Sequence, residues 1–235
     1  MSMLVAAEGE SLAAAAMRSV REYIRANGLR VGDVLPGELH FASELGVSRA
    51  VMREAFGALA ALRLIDVGNG RRARVGAMDG SVMAASLEHA VTTEQVSITD
   101  IWEVRRTLEV RTAQLAALHR TPSESDRIQA LVQALVEAND LDVITTHDIA
   151  FHQAIAKATH NVLFQQIVRS FENMMRVAVP TAWRTRETAE QRETVRANHV
   201  EIAAAIAAAD PERAAIAMER HFDASVIRAA RIASS

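Results

Sequence analysis

The chain lacks cysteine entirely and is poor in glycine, proline and aromatic residues. Its 235 residues include no Cys, ten Gly, four Pro and 4% aromatics, whereas 50% are hydrophobic. The missing cysteine excludes disulfides and thiolate metal sites, so a bound transition metal must use histidine and carboxylate ligands. The scarcity of turn-forming and aromatic residues disfavours a β-sandwich or barrel and favours alanine-rich helices.

Long hydrophobic runs and a secretory signal are missing as well. No apolar stretch approaches the roughly 18 residues of a membrane span. The first nine residues lack a basic segment followed by a long apolar core. We therefore expect a cytoplasmic protein that does not contact a membrane.

Basic residues are distributed unevenly along the chain. The formal net charge is −3, and Lys157 is the only lysine. Residues 49–74 carry six arginines against two acidic residues, a local charge of +4, whereas residues 81–235 carry 16 basic and 20 acidic residues, a local charge of −4. A short cationic segment in an otherwise acidic protein indicates a nucleic-acid contact at that segment.

The N-terminal third is predicted to form three helices and a hairpin. The helices cover residues 11–27, 38–45 and 49–62, with Gly46 ending the second and Ser48 capping the third. Two helices joined by a glycine-centred turn are typical of a helix-turn-helix. Two short strands, 64–67 and 73–75, flank a Gly-Asn-Gly-Arg-Arg tip, which predicts a β-hairpin with a basic end.

An ordered set of motifs makes this region similar to a known family. The motifs are Leu35-Pro36-Gly37-Glu38, Leu45-Gly46-Val47-Ser48-Arg49, Met52-Arg53-Glu54-Ala55, Leu59, Leu62, Leu64-Ile65 and the basic hairpin. Together they resemble the winged-helix DNA-binding domain of GntR-family transcription regulators, over about residues 12–76. The sequence departs from the family pattern at Leu39, where relatives have Arg, and at Arg63 and Arg72, where relatives have Gly.

The third helix and the hairpin tip are the expected DNA contacts. Arginines one turn apart at the start of a recognition helix can reach base edges, and a wing tip can reach phosphates or the minor groove. The alternative is that Arg49 and Arg53 are solvated or pair with Glu54. The residues expected to contact DNA are Ser48, Arg49, Arg53, Asn69, Gly70 and Arg71.

The rest of the chain has helical periodicity and no predicted strand. A short helix is predicted at 80–90, and six long helices at 99–120, 122–139, 142–159, 161–179, 188–209 and 211–233. Pro180 is expected to end the fourth long helix. The apolar face of the first is predicted to run along Ile101, Val104, Leu108, Thr112, Leu115 and His119. The fold class is thus mostly α: a winged helix-turn-helix with a small hairpin wing, then an all-α bundle.

An aspartate and a histidine lie four residues apart on the third long helix. Asp148 and His152 therefore share one face, and His199 and His221 follow on the last two helices. If these helices pack as a bundle, the four side chains can converge in its core, where bundles hold metals. A surface pair, or a histidine satisfied within the core, remains an alternative reading of the same spacing.

The helical half resembles the FCD ligand-binding domain of the FadR subfamily over about residues 98–225. The resemblance rests on residues 103–109 (Glu-Val-Arg-Arg-Thr-Leu-Glu), Asp148-x3-His152, Asn161, Leu163, His199 and His221. It implies that Asp148, His152, His199 and His221 bind one divalent transition metal per chain, with zinc first and nickel, cobalt or manganese as alternatives. It also implies a small carboxylate effector, which Arg105 can clamp unless that arginine pairs with Glu109 on the helix surface.

The predicted protein is a DNA-binding transcription regulator controlled by a sugar acid, hydroxy acid or dicarboxylate. Its expected domains are a winged helix (1–76), a linker (77–96) and an effector-binding and dimerisation domain (97–235). A homodimer on a palindromic operator is expected, because one recognition helix reads few base pairs. Two rivals use the same Asp/His3 site: a metal-dependent enzyme, and a sensor for which the metal itself is the signal.

Overall fold

The structure, a computed structural model, describes residues 9–232, with side chains described through residue 223. The described chain divides into two units between Val82 and Met83. Residues 1–8 and 233–235, at the outer ends of the predicted first and last domains, lie outside the described residues. Within the described part, every helix is too short or too polar to cross a membrane.

The first unit confirms the predicted winged helix-turn-helix. Its elements are α1 (Leu12–Ala26), α2 (Glu38–Leu45), α3 (Arg49–Ala61), β1 (Ile65–Gly68) and β2 (Arg71–Val75). The Ser48 hydroxyl accepts a hydrogen bond from the backbone N–H of Val51 at 3.2 Å, which satisfies a free donor of the first turn of α3. Gly46 ends α2 in the left-handed conformation at φ 68°, so that the chain turns sharply between α2 and α3.

A small aromatic core holds the three helices together. Phe41 packs edge-on against Tyr23 with ring centroids 5.2 Å apart, and it contacts Phe56 at 5.9 Å. Met52 and Leu59 on the inner face of α3 are fully buried. Burial of this face fixes α3 in the unit and leaves its opposite, arginine-bearing face exposed.

The wing is a two-stranded antiparallel hairpin that the connector before α2 extends. Ile65 pairs with Val75, and an irregularity follows Asp66. The backbone N–H of Leu35 donates to the carbonyl of Ala73 at 2.8 Å, so residues expected only to connect α1 and α2 also pair along β2. These bonds support the edge of a hairpin that would be weak alone.

Arg63 occupies a left-handed backbone position. Its φ is 57°, a conformation that favours glycine, and this is one of the two places where the sequence departs from the glycines of the resembled family. The departure therefore leaves the turn intact, and the arginine adopts the strained geometry. Gly76, on the far side of the hairpin, is required, because a Cβ there would collide with the Arg63 carbonyl.

The second unit is entirely helical in its described residues. Its helices are α4 (Ser81–Thr92), α5 (Ile98–His119), α6 (Pro122–Glu137), α7 (Leu141–Ala158), α8 (Val162–Ser170), α9 (Glu172–Arg184), α10 (Ala189–Ala207) and α11 (Pro211–Ile232). α5 packs against α10 and α11, and α7 packs against α5, α6 and α9. These contacts bring one face each of α5, α7, α10 and α11 towards a common interior.

The predicted fourth long helix was wrong in two respects. It divides into α8 and α9 at Phe171, so seven helices rather than six follow α4 in the described residues. Pro180 lies inside α9 instead of ending the helix before it. Proline removes only a single backbone hydrogen-bond donor from the helix. Val179 beside it is buried in the core, and this packing stabilises the helical turn around the proline.

The predicted inner face of α5 was right for Ile101 and Thr112, which are buried, and wrong for Val104. Val104 is 51% exposed, whereas Arg105 and Glu109 are 3% and 1% exposed. The positions of the apolar residues along α5 favour Val104 as an inward-facing residue. They do not indicate that two opposite charges are buried as a pair. The start of α5 differs slightly as well: Ser97, not residues 99–100, caps it in a reciprocal pair of bonds with Asp100.

Candidate metal centre and nucleic-acid interface

Three histidines from three helices meet inside the second unit. His152 on α7, His199 on α10 and His221 on α11 are all buried, and one ring nitrogen from each lies within 4.8 Å of the others. Asp148, one turn before His152, adjoins this set through Oδ1, which lies 3.0 Å from Nε2 of His199. The structure thus brings together the four residues that the sequence singled out.

The hydrogen bonds of His199 bear on whether the cluster fits a metal. Nδ1 lies 2.8 Å from the backbone carbonyl of Val195, one turn earlier on α10. A carbonyl only accepts, so Nδ1 carries the proton and Nε2 of a neutral ring carries a lone pair. That lone pair faces the Asp148 carboxylate, and two acceptors at this distance need a proton or a cation with them. The donor set therefore fits a bound cation.

Aromatic rings form the surroundings of the cluster. Phe151 packs edge-on to His199 at 5.4 Å, and Phe222 packs against His221 at 5.3 Å and His152 at 6.2 Å. Both phenylalanines are fully buried. The imidazoles therefore have apolar neighbours that hold the rings and exclude water, which strengthens any charge interaction inside.

The electrostatics favour a neutral imidazole at His221 and an ionised carboxylate at Asp148. Burial, together with repulsion from His199 and His152, lowers the pKa of His221 well below its ordinary value. Burial raises the pKa of Asp148, but a hydrogen bond from His199 and the positive charges of the three imidazoles, both of which act when those rings are protonated, outweigh it, so the net shift is downward. A neutral imidazole beside an ionised carboxylate is the form that binds metals.

A buried ion pair lies behind the histidines. Nε of Arg105 donates to Oε1 of Glu109 at 2.6 Å, and the other carboxylate oxygen contacts Nδ1 of His152. Burial raises the pKa of Glu109, but Arg105 and His152 reverse that shift and lower it. The expected surface alternative for Arg105 was thus right about its partner, Glu109, and wrong about its place, because both side chains are interior.

Arg186 is a residue at the site that sequence reasoning missed. It is 5% exposed, lines the same cavity as the metal-ligand candidates, and stacks over the Trp183 ring at 5.2 Å. It lies between α9 and α10, where no helical period indicates which side chains point inward. The only available signal was its charge beside a tryptophan, and that is common on surfaces.

The space beside the histidines is small, and a larger space adjoins it. The inner cavity has a volume of about 30 Å³ and is lined by Asp148, Trp183 and the three histidines among others. A second cavity, of about 490 Å³, shares Ile144 and Trp183 with it and is otherwise mainly polar. The inner space holds about one water-sized group, so a longer molecule bound there extends into a neighbouring space, of which the polar cavity past Ile144 and Trp183 is one.

The candidate DNA-contacting residues share the exposed surface of the first unit. Arg49 and Arg53 are one turn apart on α3 and exposed, and within the described part of the chain neither forms an ion pair, with Glu54 or any other residue. Ser48 is exposed but its hydroxyl is used as the cap of α3. Two arginines without acidic partners on one helix face suit phosphates or guanine edges.

The wing tip presents its polar groups to solvent. Asn69, Gly70 and Arg71 are exposed, with Gly70 left-handed at φ 68°. The Arg71 guanidinium lies over Gly68, so close that a Cβ on Gly68 would meet it at 2.7 Å. The glycine therefore allows Arg71 to lie across the hairpin, from which it can extend to a phosphate.

Comparison with known proteins gives two family matches. The family described as "Bacterial regulatory proteins, gntR family" matches residues 12–75, and "FCD domain" matches residues 100–224. An Escherichia coli K12 protein named "Putative L-lactate dehydrogenase operon regulatory protein" is 32% identical over 68% of this chain, and the match spans 63% of that relative's length. The galactonate operon transcriptional repressor of the same strain is 28% identical over 65% of this chain and 69% of its own length.

A solved structure supports the same architecture. Streptococcus agalactiae GntR superposes with a TM-score of 0.69 over 92% of this chain and 99% of its own, at 23% sequence identity. At that identity the likeness is one of fold.

Proposed function

Since the chain belongs to the FCD-domain proteins of the bacterial gntR family, we propose that it is a transcription regulator whose operator affinity is controlled by a small carboxylate bound at a metal centre. The observation that carries the proposal is the buried cluster of three histidines beside a carboxylate, in a chain whose first unit has an exposed, unpaired pair of arginines. The matched family is one of regulatory proteins rather than enzymes, so the enzyme alternative loses its support.

On the DNA side, α3 is the recognition helix. Arg49 and Arg53 read base edges in the major groove, while Arg71 at the wing contacts phosphates. One helix reads only a few base pairs, so two copies of the chain on a palindromic site supply the specificity.

On the metal side, Asp148, His152, His199 and His221 hold one divalent transition ion. Nitrogen and oxygen donors without sulfur suit zinc first, with nickel, cobalt or manganese as alternatives. When bound, the ion supplies a Lewis-acidic position for an incoming carboxylate oxygen. The ring of His199, held through Nδ1 by the Val195 carbonyl, keeps Nε2 aimed at that position.

The charges around the site favour an anionic effector. The buried Glu109 is balanced by its partner Arg105, and Asp148 supplies one negative charge. A divalent ion then leaves the site with a surplus of one positive charge, which a carboxylate neutralises and a neutral sugar does not. The names of two relatives, which refer to an L-lactate dehydrogenase operon and to galactonate, are in keeping with an acid.

The cavities indicate how such an acid lies. One carboxylate oxygen takes the small inner space, and the rest of the acid extends past Ile144 and Trp183 into the polar cavity beyond. Arg105 already pairs with Glu109, so an acid that reaches it shares that guanidinium, whereas Arg186 is a second buried guanidinium that lines the inner cavity.

The test is a thermal-shift screen of carboxylates from L-lactate to D-galactonate on metal-loaded protein, because a ligand raises apparent stability by mass action. The best acid is then titrated by calorimetry into metal-loaded protein, chelated protein, and Arg105→Lys and Arg186→Lys variants. Lysine keeps the charge but loses the planar fork, so the buried Glu109 retains a counterion. We expect weaker binding in all three altered forms. Undiminished binding to chelated protein would place the acid elsewhere.

A direct metal sensor remains the second candidate, and the small inner cavity favours it. A space of about 30 Å³ accommodates an ion with its water without any rearrangement. If metal alone changes operator binding in the absence of every acid tested, the ion is the signal. If metal-loaded and chelated protein bind the operator equally until an acid is added, the carboxylate sensor holds.

A further inference from the structure

Glu109 contacts both His152, a proposed metal ligand, and Arg105, a proposed effector contact. It lies on α5, which contributes no proposed metal ligand, and it is 1% exposed. One carboxylate oxygen accepts from Nε of Arg105 at 2.6 Å, and the other contacts Nδ1 of His152. Nothing in the family matches or in the sequence motifs assigns this residue a role.

Nδ1 of His152 lies against a carboxylate oxygen of Glu109, although neither of these two atoms completes a hydrogen bond within the described residues. Because a carboxylate only accepts, the contact becomes a hydrogen bond only when Nδ1 carries the ring proton. Nε2 then carries a lone pair, and among the described residues it has no hydrogen-bond partner. Since Nε2 is buried, an unpaired lone pair there is costly unless something binds it.

His199 is arranged in the same way by a different acceptor. Its Nδ1 is held by the Val195 carbonyl, one turn back on its own helix. His152 has no such backbone contact at Nδ1, and the acceptor comes from α5 instead. Both rings thus have an oxygen acceptor beside Nδ1, which leaves Nε2 of each as the nitrogen free to bind a ligand.

We propose that Glu109 is a positioning residue of the metal centre, which orients His152 and fixes its tautomer so that Nε2 is the ligand atom. The inference rests on the proposed metal site and adds to it a residue outside the Asp/His3 set. A carboxylate behind a metal-binding imidazole raises its basicity and holds its plane, and removal of such partners typically weakens metal binding about 10–100-fold. The same carboxylate also holds Arg105. Binding of an acid to Arg105 is therefore transmitted to the metal centre through Glu109 and His152.

The rival explanation is that Glu109 only neutralises a buried arginine. A double variant, Arg105→Met with Glu109→Leu, separates the two roles, because replacement of a buried ion pair by apolar side chains of similar volume is commonly tolerated. Arg105→Lys keeps a cation beside Glu109 and leaves the contact with His152 in place. The matched control is Arg18→Met with Glu22→Leu, another Arg–Glu pair four residues apart, with both side chains exposed on α1 in the first unit.

The first measurement needs no variant. Nitrogen NMR of metal-free protein, labelled at histidine, reports the tautomer of each ring. We expect His152 to carry its proton on Nδ1 in the wild type, and to lose that preference in the Arg105→Met/Glu109→Leu variant. A wild-type His152 protonated on Nε2 would overturn the proposal at once, whatever the variants do.

The second measurement is zinc affinity by competition with a chromophoric chelator. We expect the Arg105→Met/Glu109→Leu variant to bind zinc about 10–100-fold more weakly, Arg105→Lys to lose less affinity than this double variant because Glu109 is retained, and the surface double variant to bind zinc as the wild type does. Wild-type affinity in the core double variant would show that Glu109 acts only as a counterion. Failure of the wild type to bind any metal would instead overturn the proposed function, while the tautomer measurement would still decide what Glu109 does to His152.

Discussion

Nε2 of His199 lies 3.0 Å from Oδ1 of Asp148, while Nδ1 of the same ring lies 2.8 Å from the backbone carbonyl of Val195. A neutral imidazole cannot donate to both oxygens. The ring therefore needs either a second proton or a cation at Nε2, and in the proposed centre the metal takes that place.

The first prediction concerns the ligands. His199→Ala and His221→Ala should each lose bound metal, with affinity reduced by at least the roughly 10–100-fold that loss of an outer partner causes. Elemental analysis after dialysis measures it, and the exposed His119→Ala is the control. Stoichiometric metal in both ligand variants would mean that the assignment is wrong.

The second prediction divides the roles of two arginines in DNA binding. Arg49→Ala should weaken operator binding by ~1–3 kcal/mol and relax base preference at one position of each half-site. Arg71→Ala should weaken binding to every sequence and reduce the salt slope by about one unit. Titrations at several salt concentrations on operator and random DNA measure both effects.

An arginine remote from the interface separates these effects from a general loss of charge. Arg127→Ala on α6 removes the same charge from an exposed position in the other unit. It should leave both the affinity and the salt slope unchanged. Equal losses on operator and random DNA for Arg49→Ala would contradict its role in reading bases.

The third prediction uses the strained turn before the wing. Arg63→Gly should stabilise the first unit by roughly 0.5–1 kcal/mol. Removal of the backbone strain at a left-handed non-glycine residue stabilises the folded state by about 1–2 kcal/mol. The greater conformational entropy of glycine in the unfolded chain offsets part of this gain. The exposed Arg63–Asp79 contact at 3.4 Å contributes little. Native-state hydrogen exchange of residues 49–75 measures the change.

Arg72 provides the matched comparison for Arg63. It too stands where the resembled family has glycine, but it lies in β2 without a positive φ. Arg72→Gly should therefore destabilise the hairpin. A stabilising effect of both substitutions, or of neither, would show that backbone strain at Arg63 is not the cause.

The fourth prediction is a pH dependence of metal-free protein. Burial lowers the pKa of His221, so below its ordinary pKa of about 6.5 the unfolded chain binds a proton that the folded chain does not. Stability is thus present above that pH and decreases as the pH falls through it. The lowered pKa values of Asp148 and Glu109 add a further loss near their ordinary range of about 4.

Urea unfolding of chelated protein between pH 8 and pH 5 measures this dependence. His221→Gln should flatten the change near pH 6.5, and the exposed His119→Gln should not. If the unfolding free energy of His221→Gln changes with pH as steeply as that of the wild type, another group takes up the proton.

The sequence predicted the parts of the fold that local chemistry decides. Ser48 and Gly46 fix the ends of α3 and α2 by their own hydrogen bonding and backbone freedom, and both were placed correctly. The Asp148–His152 spacing likewise needs only one helix. Each of these features is set by residues within one or two turns of each other.

The misplaced features depend on partners far along the chain. The Arg105 side chain is buried because it contacts Glu109 and Met175 in the interior, and Met175 is 70 residues away. Pro180 remains within α9 because its neighbours are buried. Arg186 reaches the site from a segment without regular structure. Apolar periodicity carries no information about such contacts, so the inner face of α5 and the cationic side of the cavity required the structure.

The donor atoms around the histidine cluster are imidazole nitrogens and a carboxylate oxygen, in a chain without a single thiol. Peroxide oxidises thiolate ligands step by step and releases the metals they hold. A centre built from His152, His199, His221 and Asp148 has no such weak point. If the proposed centre responds to an acid, that response should therefore persist through oxidative stress, when thiolate-based regulators lose theirs.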